Sequence, residues 1–388
     1  MGLKKNYPHI SEALRLTAQE VQTISYLNEG FITPAQLNGQ GLYLDQYTKR
    51  SEALLVDTGN KITAARMIHT EKRVGIMSLP TPKKFSLDSD AVQKIAGVNR
   101  LADIRYRDVV EISGLGSLRS QNGEPSAPAE SFDATRQVYA TALRRSLDQG
   151  HKLWVMNIEE RLKNQLTTFL GKGVISQVGE PRAQMGPATM PVAVNPQQVV
   201  ESILDGNSAR FDDMNRADIA KALRGVSERY LPPRLVRKLH ASGIETTQDT
   251  LLSRALRHKK ALLYGAIIGY AALRAIPVAA LPEFEGSPFI FAGVDISTAL
   301  TQVWGMERYL TGRSRLVRAV GATTAVASLV APYVYVYANG EDYPVYVNVI
   351  VGGLIGGAIV SEVIKTRKDI AIRRGLRASE LPVAAVPA

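Results

Sequence analysis

Glu111 stands in the run Val109-Val110-Glu111-Ile112-Ser113, where a single carboxylate is flanked by apolar residues of strand character. Partial burial there raises a carboxylate pKa toward the range in which it can exchange protons near neutrality. Alternation along a half-buried strand would equally put a glutamate on the solvated face. Asp45 lies in the segment LYLDQYT, and Arg66 lies in GNKITAARMI, a turn leading into a strand. Taken alone, these two read as a turn aspartate and a strand-face arginine. Other chemistries have little to work with. There is no P-loop, no G-x-S-x-G elbow and no GxGxxG at a strand-to-helix turn. The absence of cysteine removes thiolate nucleophiles, thiolate metal sites, disulfides and S-palmitoylation together. The five histidines (His9, His69, His151, His240 and His258) lack the spacing of helical metal ligands, so no metal site is assigned.

The elements that must position these residues read as an α/β domain over residues 1–205. Strands are expected at Glu52–Val56, Ile62–His69, Val109–Ser113, Leu153–Asn157, Val174–Val178 and Met190–Val194, where apolar runs are of strand length. Helical periodicity marks Thr17–Leu27, Asp88–Ala96, Phe132–Gln149 and Ile158–Leu170. Ser120–Glu130 is a Pro/Gly/Ser loop. Residues 206–255 form a charged helical linker broken at Pro232-Pro233, whose amphipathic piece Leu235–His240 packs on the soluble domain or, as the sharper alternative, lies on lipid headgroups.

The order of these segments resembles that of the acyl-homoserine-lactone synthases and long-chain N-acyl amino acid synthases, both of the Gcn5-related acetyltransferase fold. The resemblance covers roughly residues 20–200. In that family an Asp-x-Phe/Tyr-Asp element precedes a Gly-turn strand with Arg and then a strand with Glu-hydrophobic-Ser-Arg. Asp45, Tyr47, Arg66, Glu111 and Ser113 stand at the matching positions, with the strand at Leu153 and the segments VGEP and MPVAV following. The resemblance implies a catalytic set of Glu111 as base, Ser113, Asp45 and Arg66. It puts Gly114, Leu115 and Trp154 on the donor's side, with no bound cofactor and with acyl carrier protein or acyl-CoA delivering the acyl group to an amine such as an amino acid. Backbone N–H groups of Ser113, Gly114 and Leu115 would meet the oxyanion. Gly114 either admits a pantetheine arm closely or marks a bulge. Ile76, Met77 and Leu79 would line an acyl channel or simply pack in the core.

Two positions depart from the family pattern. Thr48 replaces the second Asp, and Gly114 replaces the Arg after Ser. The missing arginine argues against S-adenosylmethionine as acceptor and leaves an inactive, scaffold-like relative as the alternative. Gly114-x-Gly116 also lacks the upstream Arg or Gln of an acetyl-CoA pyrophosphate loop, which suits a long-chain donor.

Residues 256–370 hold four apolar stretches: 261–281, Pro288–Met306, Leu316–Ala338 and Val345–Ile364. Their flanks alternate basic, acidic, basic, acidic, basic, the pattern of four spans with positive loops in the cytoplasm. The sequence thus predicts an all-α bundle of four transmembrane helices in a multi-pass membrane protein, with the N-terminal domain and the C-terminus cytoplasmic and residues 371–388 a basic, then flexible, tail. The basic flanks carry fourteen of the 47 Lys and Arg and, against Glu307 and Asp369, account for all of the net charge of +11. The pI of about 9.6 is therefore assigned to the lipid bilayer, and nucleic acid is excluded as a partner. Arg274 and Asp295 fall at similar depth and are expected to pair; lining a transport path is the alternative. Tyr333, Tyr335, Tyr337, Tyr343 and Tyr346 read as an interfacial belt. Gly352, Gly353, Gly356 and Gly357 read as a packing face within the bundle, with a homodimer through these helices as the sharper alternative.

Overall fold

Strands form where β-branched and small apolar residues alternate, and here they assemble a mixed sheet of six in the order β1-β2-β3-β4-β6-β5. The strands are β1 Ser51–Asp57, β2 Lys61–His69, β3 Val109–Arg119, β4 Leu153–Glu159, β5 Ile175–Gln177 and β6 Thr189–Val194. The computed structural model describes residues 12–58, 61–119, 128–183, 188–206, 220–248, 250, 262, 264–270, 287–312, 314–339 and 345–378. Its contacts divide into two units, Met1–Asp249 with Asp369–Ala388, and Thr250–Lys368.

In the first unit, β1, β2 and β3 run antiparallel, β3 and β4 run parallel, and β6 pairs antiparallel with both β4 and β5. One sheet face carries Met67, Val110, Ile112, Trp154 and Met156 and is buried with Val138, Leu143 and Leu147 of helix α4, Pro128–Gln149. The same cluster includes Phe169 of α5 (Glu160–Leu170), Val199 and Ile203 of α6 (Pro196–Leu204), and Leu235 and Leu239 of α7 (Pro233–Ala241). The amphipathic 235–240 segment therefore packs on the domain and not on headgroups.

The other face carries Ala64, Arg66, Ile68, Val109, Glu111 and Val155. Helix α1, Glu12–Asn28, covers Ala64 through Ala18 and Val21. Ile68, Val109 and Val155 are packed by Leu79, Phe85 and Leu87 around helix α2, Pro80–Lys84, and by Val92 and Ile95 of α3, Ser89–Ile95. Asp88 starts α3 by accepting the N–H groups of Asp90 and Ala91 (2.9 and 3.2 Å), and Asn195 with Pro196 starts α6 in the same way.

The second unit contains α8, Pro288–Thr311, and α9, Arg315–Ala338; α10, Val345–Arg377, begins in it and ends in the first unit. A Cβ at Gly305 would lie 2.7 Å from Ala325 N, and one at Gly321 would lie 2.4 Å from Tyr309 N, so α8 and α9 meet backbone to backbone. Among the described residues, nothing beyond the helix's own backbone lies within 4 Å of a Cβ added at Gly352, Gly353, Gly356 or Gly357, the expected packing face. Tyr333 turns inward, its hydroxyl 2.9 Å from that of Tyr270, and the Tyr335 ring lies beside Phe291. Asp295 is fully buried, while Arg274, its expected partner, lies outside the described residues.

The bundle of four transmembrane helices is not found. Among the described residues one helix, Leu316–Ala338, is long and apolar enough to cross a membrane, with mean hydropathy 1.5. Helix α8 dilutes its apolar content with Asp295, Ser297, Thr298, Thr301 and Glu307. Of the stretch 261–281 only residues 262 and 264–270 are described. Helix α10 does not stop at Ile364 but continues through the basic flank to Arg377. Residues 371–377, expected to open a tail, are helical, and Leu376 is fully buried.

Candidate active site

Strand β3 positions the central carboxylate. Its ladder with β4 covers Val109↔Leu153, Val110↔Trp154 and Glu111↔Val155 and then ends. Beyond that point β3 stays paired with β2, and β4 stays paired with β6. Two parallel strands that part in this way leave backbone N–H and C=O groups facing the opening, where an extended chain can take up ladder bonds. Glu111 is the last paired residue before the opening and is 1% exposed. Its Oε2 accepts the Thr81 N–H at 2.9 Å, a first-turn donor of α2 that has no acceptor within the helix. Burial pushes the Glu111 carboxyl up to about 7; the Thr81 bonds and the charges of Lys84 and Arg66 pull the other way and do not cancel it.

Arg66 and Asp45 form a second polar pair on the same sheet face. The guanidinium grips the carboxylate with two parallel bonds, Nη1 to Oδ1 at 2.9 Å and Nη2 to Oδ2. Asp45 is held for this by its own turn, where Oδ1 also accepts the Tyr47 N–H (2.9 Å) and the Thr48 hydroxyl (3.0 Å). Burial raises the Asp45 pKa, but the Arg66 bonds and charge, with Thr48 and Tyr47, outweigh it and hold the carboxyl below its ordinary value. Thr48, which stands in for an acid, thus fixes the Asp45 rotamer. Tyr26 of α1 is half-buried beside this pair, its hydroxyl pKa raised chiefly by desolvation. Its ring lies 6.3 Å from Tyr43 and 5.8 Å edge-on to Phe31. Tyr47 lies beneath both Arg50 and Lys83, at 5.0 and 5.3 Å from its ring centre.

Ser113 pairs with Arg66 across the β2–β3 ladder and shares the Glu111 face. Directly after it the ladder slips. Ala64 pairs with Gly116 and Arg66 with Ser113, so Gly114 and Leu115 oppose Ala65 alone. Gly114 adopts φ +68°, and its carbonyl accepts from the buried Gln22 amide at 2.8 Å. A Cβ there would lie 2.9 Å from Gln22 Nε2 and 3.3 Å from Arg66 Nε. The positive φ therefore strains the arginine that the family pattern has at this position, and the Gln22 and Arg66 side chains crowd it.

The expected residues separate into two groups. Asp45, Arg66, Glu111 and Ser113 share one sheet face, and Gly114 forms the bulge beside them. Leu115 packs with the core on the α4 side. Trp154 is a correction: its indole N–H donates to Ser146 Oγ of α4 at 2.6 Å, buried on the opposite face from Glu111. Ile76 and Leu79 are core residues. Three contributors escaped the sequence reading. Thr81 acts through a backbone N–H, which leaves no side-chain signal. Gln22 belongs to α1, which carried no motif. Asn157 stands two residues beyond the last β3–β4 pair, as Ser113 does on its strand. Its side-chain Oδ1 is buried without a hydrogen-bond partner among the described residues.

Neither the family models nor the curated proteins compared with the sequence give a match. Among solved structures the chain is similar to the CoA-dependent acyl-homoserine lactone synthase BjaI with SAM and isopentyl-CoA, at 18% identity over 56% of this chain and 94% of that one, TM-score 0.36. It is also similar to the acyl-homoserine lactone synthase LasI, at 12% identity, 53% and 94% coverage and TM-score 0.35. A third is FeeM, an N-acyl amino acid synthase from uncultured soil microbes, at 14% identity, 49% and 95% coverage and TM-score 0.30. Likeness of this degree carries no argument about chemistry, which rests on the residues themselves.

Proposed function

We propose that the first unit is an N-acyltransferase that moves a fatty acyl group from an acyl-carrier-protein or acyl-CoA thioester to the amino group of an amino acid or related amine. The observation that carries this reading is Glu111, a buried carboxyl with a pKa of about 7 at the mouth of the β3–β4 opening.

A thioester needs no activation, so the protein has to position it and manage protons. An α-ammonium with a pKa near 8 is partly deprotonated to solvent near neutral pH, and the neutral amine gives a second proton to Glu111, directly or through a water molecule, as its nitrogen bonds to the thioester carbon. The carbonyl oxygen becomes an oxyanion facing backbone N–H groups around Ser113 and Leu115. Collapse breaks the C–S bond, and the thiolate departs with the proton held by Glu111. Asn157 would accept an N–H from the donor's arm, and the Asp45–Arg66 pair would hold the wall of the acceptor side. A purely structural role is disfavoured by cost, because a buried carboxyl served by little more than a backbone N–H weakens a fold that an apolar residue would strengthen.

The second unit would hold the enzyme at a membrane, where an acylated product partitions. Supporting this are helix α9 and the exposed apolar side chains around it, among them Phe289, Ile296, Leu316, Val345 and Val349.

The test is the full-length protein in detergent, supplied with acyl-carrier-protein or acyl-CoA thioesters and a panel of amino acids, with thiol release and N-acyl product both measured. Glu111→Gln is expected to lower kcat by about 100-fold or more, and wild-type kcat/KM is expected to rise with pH through a midpoint near 7. Equal turnover by the Gln variant would remove Glu111 as the base.

A further inference from the structure

The end of α10 is built into the domain that carries Glu111. Leu376 is fully buried and shares a core cluster with Ile76, Leu79, Phe85 and Leu87. The Leu87 N–H donates to the Leu376 carbonyl at 2.8 Å, and the Ser86 hydroxyl donates to the Arg377 carbonyl at 2.8 Å. Gly375 passes so close to Met77 that an added Cβ would lie 3.1 Å from its Cε. Nearly two turns earlier, Asp369 Oδ1 accepts the Leu101 N–H at 2.8 Å, and Asp369 Oδ2 accepts from Arg373 Nε at 2.9 Å. Arg373 also reaches Asp90 at 2.5 Å and the Gln93 side-chain carbonyl.

All these contacts converge on residues 76–101, and within that stretch lies Thr81, whose N–H holds Glu111. The stretch is anchored on its other sides as well. Arg50 Nη2 donates to the Ser78 carbonyl, and the Asp88 N–H donates to the Val178 carbonyl at 2.6 Å. Gly179 lies against Ser86, where a Cβ would come within 2.3 Å of the Ser86 oxygen.

We infer that the last turns of α10, through Leu376, Asp369 and Arg373, are positioning residues for Glu111: they seat the 76–87 segment so that Thr81 covers the carboxyl and keeps water from it. This rests on the reading of Glu111 as the base. Its physical content does not depend on turnover, because the cover can be observed without substrate. The charged groups that act on Glu111 are Lys84 from α2 and Arg66 from β2, with the Tyr47 hydroxyl coupled to it as well. Those of α10 are spent on Asp90, Gln93 and the Leu101 N–H, so α10 acts on Glu111 by seating its cover and not by its charge.

The experiment compares full-length wild type with Leu376→Ala, Leu376→Met and Asp369→Asn. Hydrogen–deuterium exchange of the 76–87 peptide is expected to rise at least about tenfold in Leu376→Ala, with β4 and β6 peptides unchanged and Leu376→Met close to wild type. The midpoint of the pH–rate profile is expected to fall from about 7 toward an ordinary carboxylate value in the same variant and to return in Leu376→Met. If Leu376→Ala does not fold, Asp369→Asn carries the test, with faster exchange confined to 76–103. Unchanged exchange across 76–87 in a folded variant overturns the inference. A wild type that transfers no acyl group overturns the proposed function and leaves the exchange comparison to decide the role of α10 by itself.

Discussion

Ionising Glu111 inside a packed sheet face costs free energy that depends on pH, and its sign distinguishes a base from an ordinary core group. Its folded pKa is about 7 against 4.5 for the free side chain. The folded state therefore binds the proton more tightly, and stability falls as pH rises from 4.5 to 7, by on the order of 3 kcal/mol in all. Glu111→Gln keeps the shape without the charge. It is expected to leave the denaturation midpoint near wild type at pH 4 and to raise it at pH 8, so that the variant gains stability where it loses turnover. Chemical denaturation of both proteins at the two pH values checks this, and a wild type equally stable relative to the variant at both would mean that Glu111 carries no such cost. The candidate site was legible in the sequence where a side chain would carry it. Asp45, Arg66, Glu111 and Ser113 were singled out by their order along the chain, and the structure gathers them on one side of the sheet. Trp154 was misplaced for a reason of parity: Glu111 pairs with Val155, so the neighbouring 154 position must face away. Thr81 was illegible because its contribution is main-chain, and Gln22 because it acts across 92 residues of sequence.

At the scale of elements, the departure at Gly114 becomes a property of strand β3. The sequence ended this strand at Ser113, but the strand continues to Arg119 after absorbing a bulge. A bulge adds a residue on one strand only, and simple alternation does not register it. The helix expected from Phe132 starts instead at Pro128, since proline fits the first turn as readily as a loop. Most other boundaries fall within a few residues of their expected positions, because periodicity fixes an element's interior better than its ends. Two costs meet at Gly114. Its positive φ strains any other residue by about 1 kcal/mol, and the Gln22 contact adds crowding. Gly173 isolates the first cost, with φ +78° and nothing within 4 Å of an added Cβ. Gly173→Ala is thus expected to destabilise by about 1 kcal/mol and Gly114→Ala by about 2 to 3 kcal/mol, with the urea m-value unchanged in both. Equal losses would show that Gln22 yields freely and that the bulge tolerates a side chain.

For the whole molecule, two properties of the chain bear on membrane attachment: a basic charge of +11 concentrated in the flanks of the apolar stretches, and an apolar helix, α9. Alternating charge signs suggested four spans because the sign pattern says nothing about how apolar each stretch is or whether its helix ends at the membrane. Helix α8 buries Asp295, and α10 carries its basic residues onward until Leu376 enters a core. The two attachments separate by salt. Attraction of basic flanks to anionic headgroups is screened within about 8 Å at physiological ionic strength and nearly abolished at 1 M, whereas burial of apolar surface is not weakened by salt. The full-length protein is therefore expected to stay with membranes through washes in 1 M salt and alkaline carbonate. Val320 and Ala327 lie on the exposed side of α9, so aspartate at each should leave the contacts between α8 and α9 in place. A charge near the centre of a span costs about 3 kcal/mol, and Val320→Asp with Ala327→Asp is expected to move the chain out of the carbonate-resistant fraction while acyl transfer in detergent is kept. Release of the wild type by salt alone would assign attachment to the basic flanks, and α9 would then be a helix packed against protein and not against lipid.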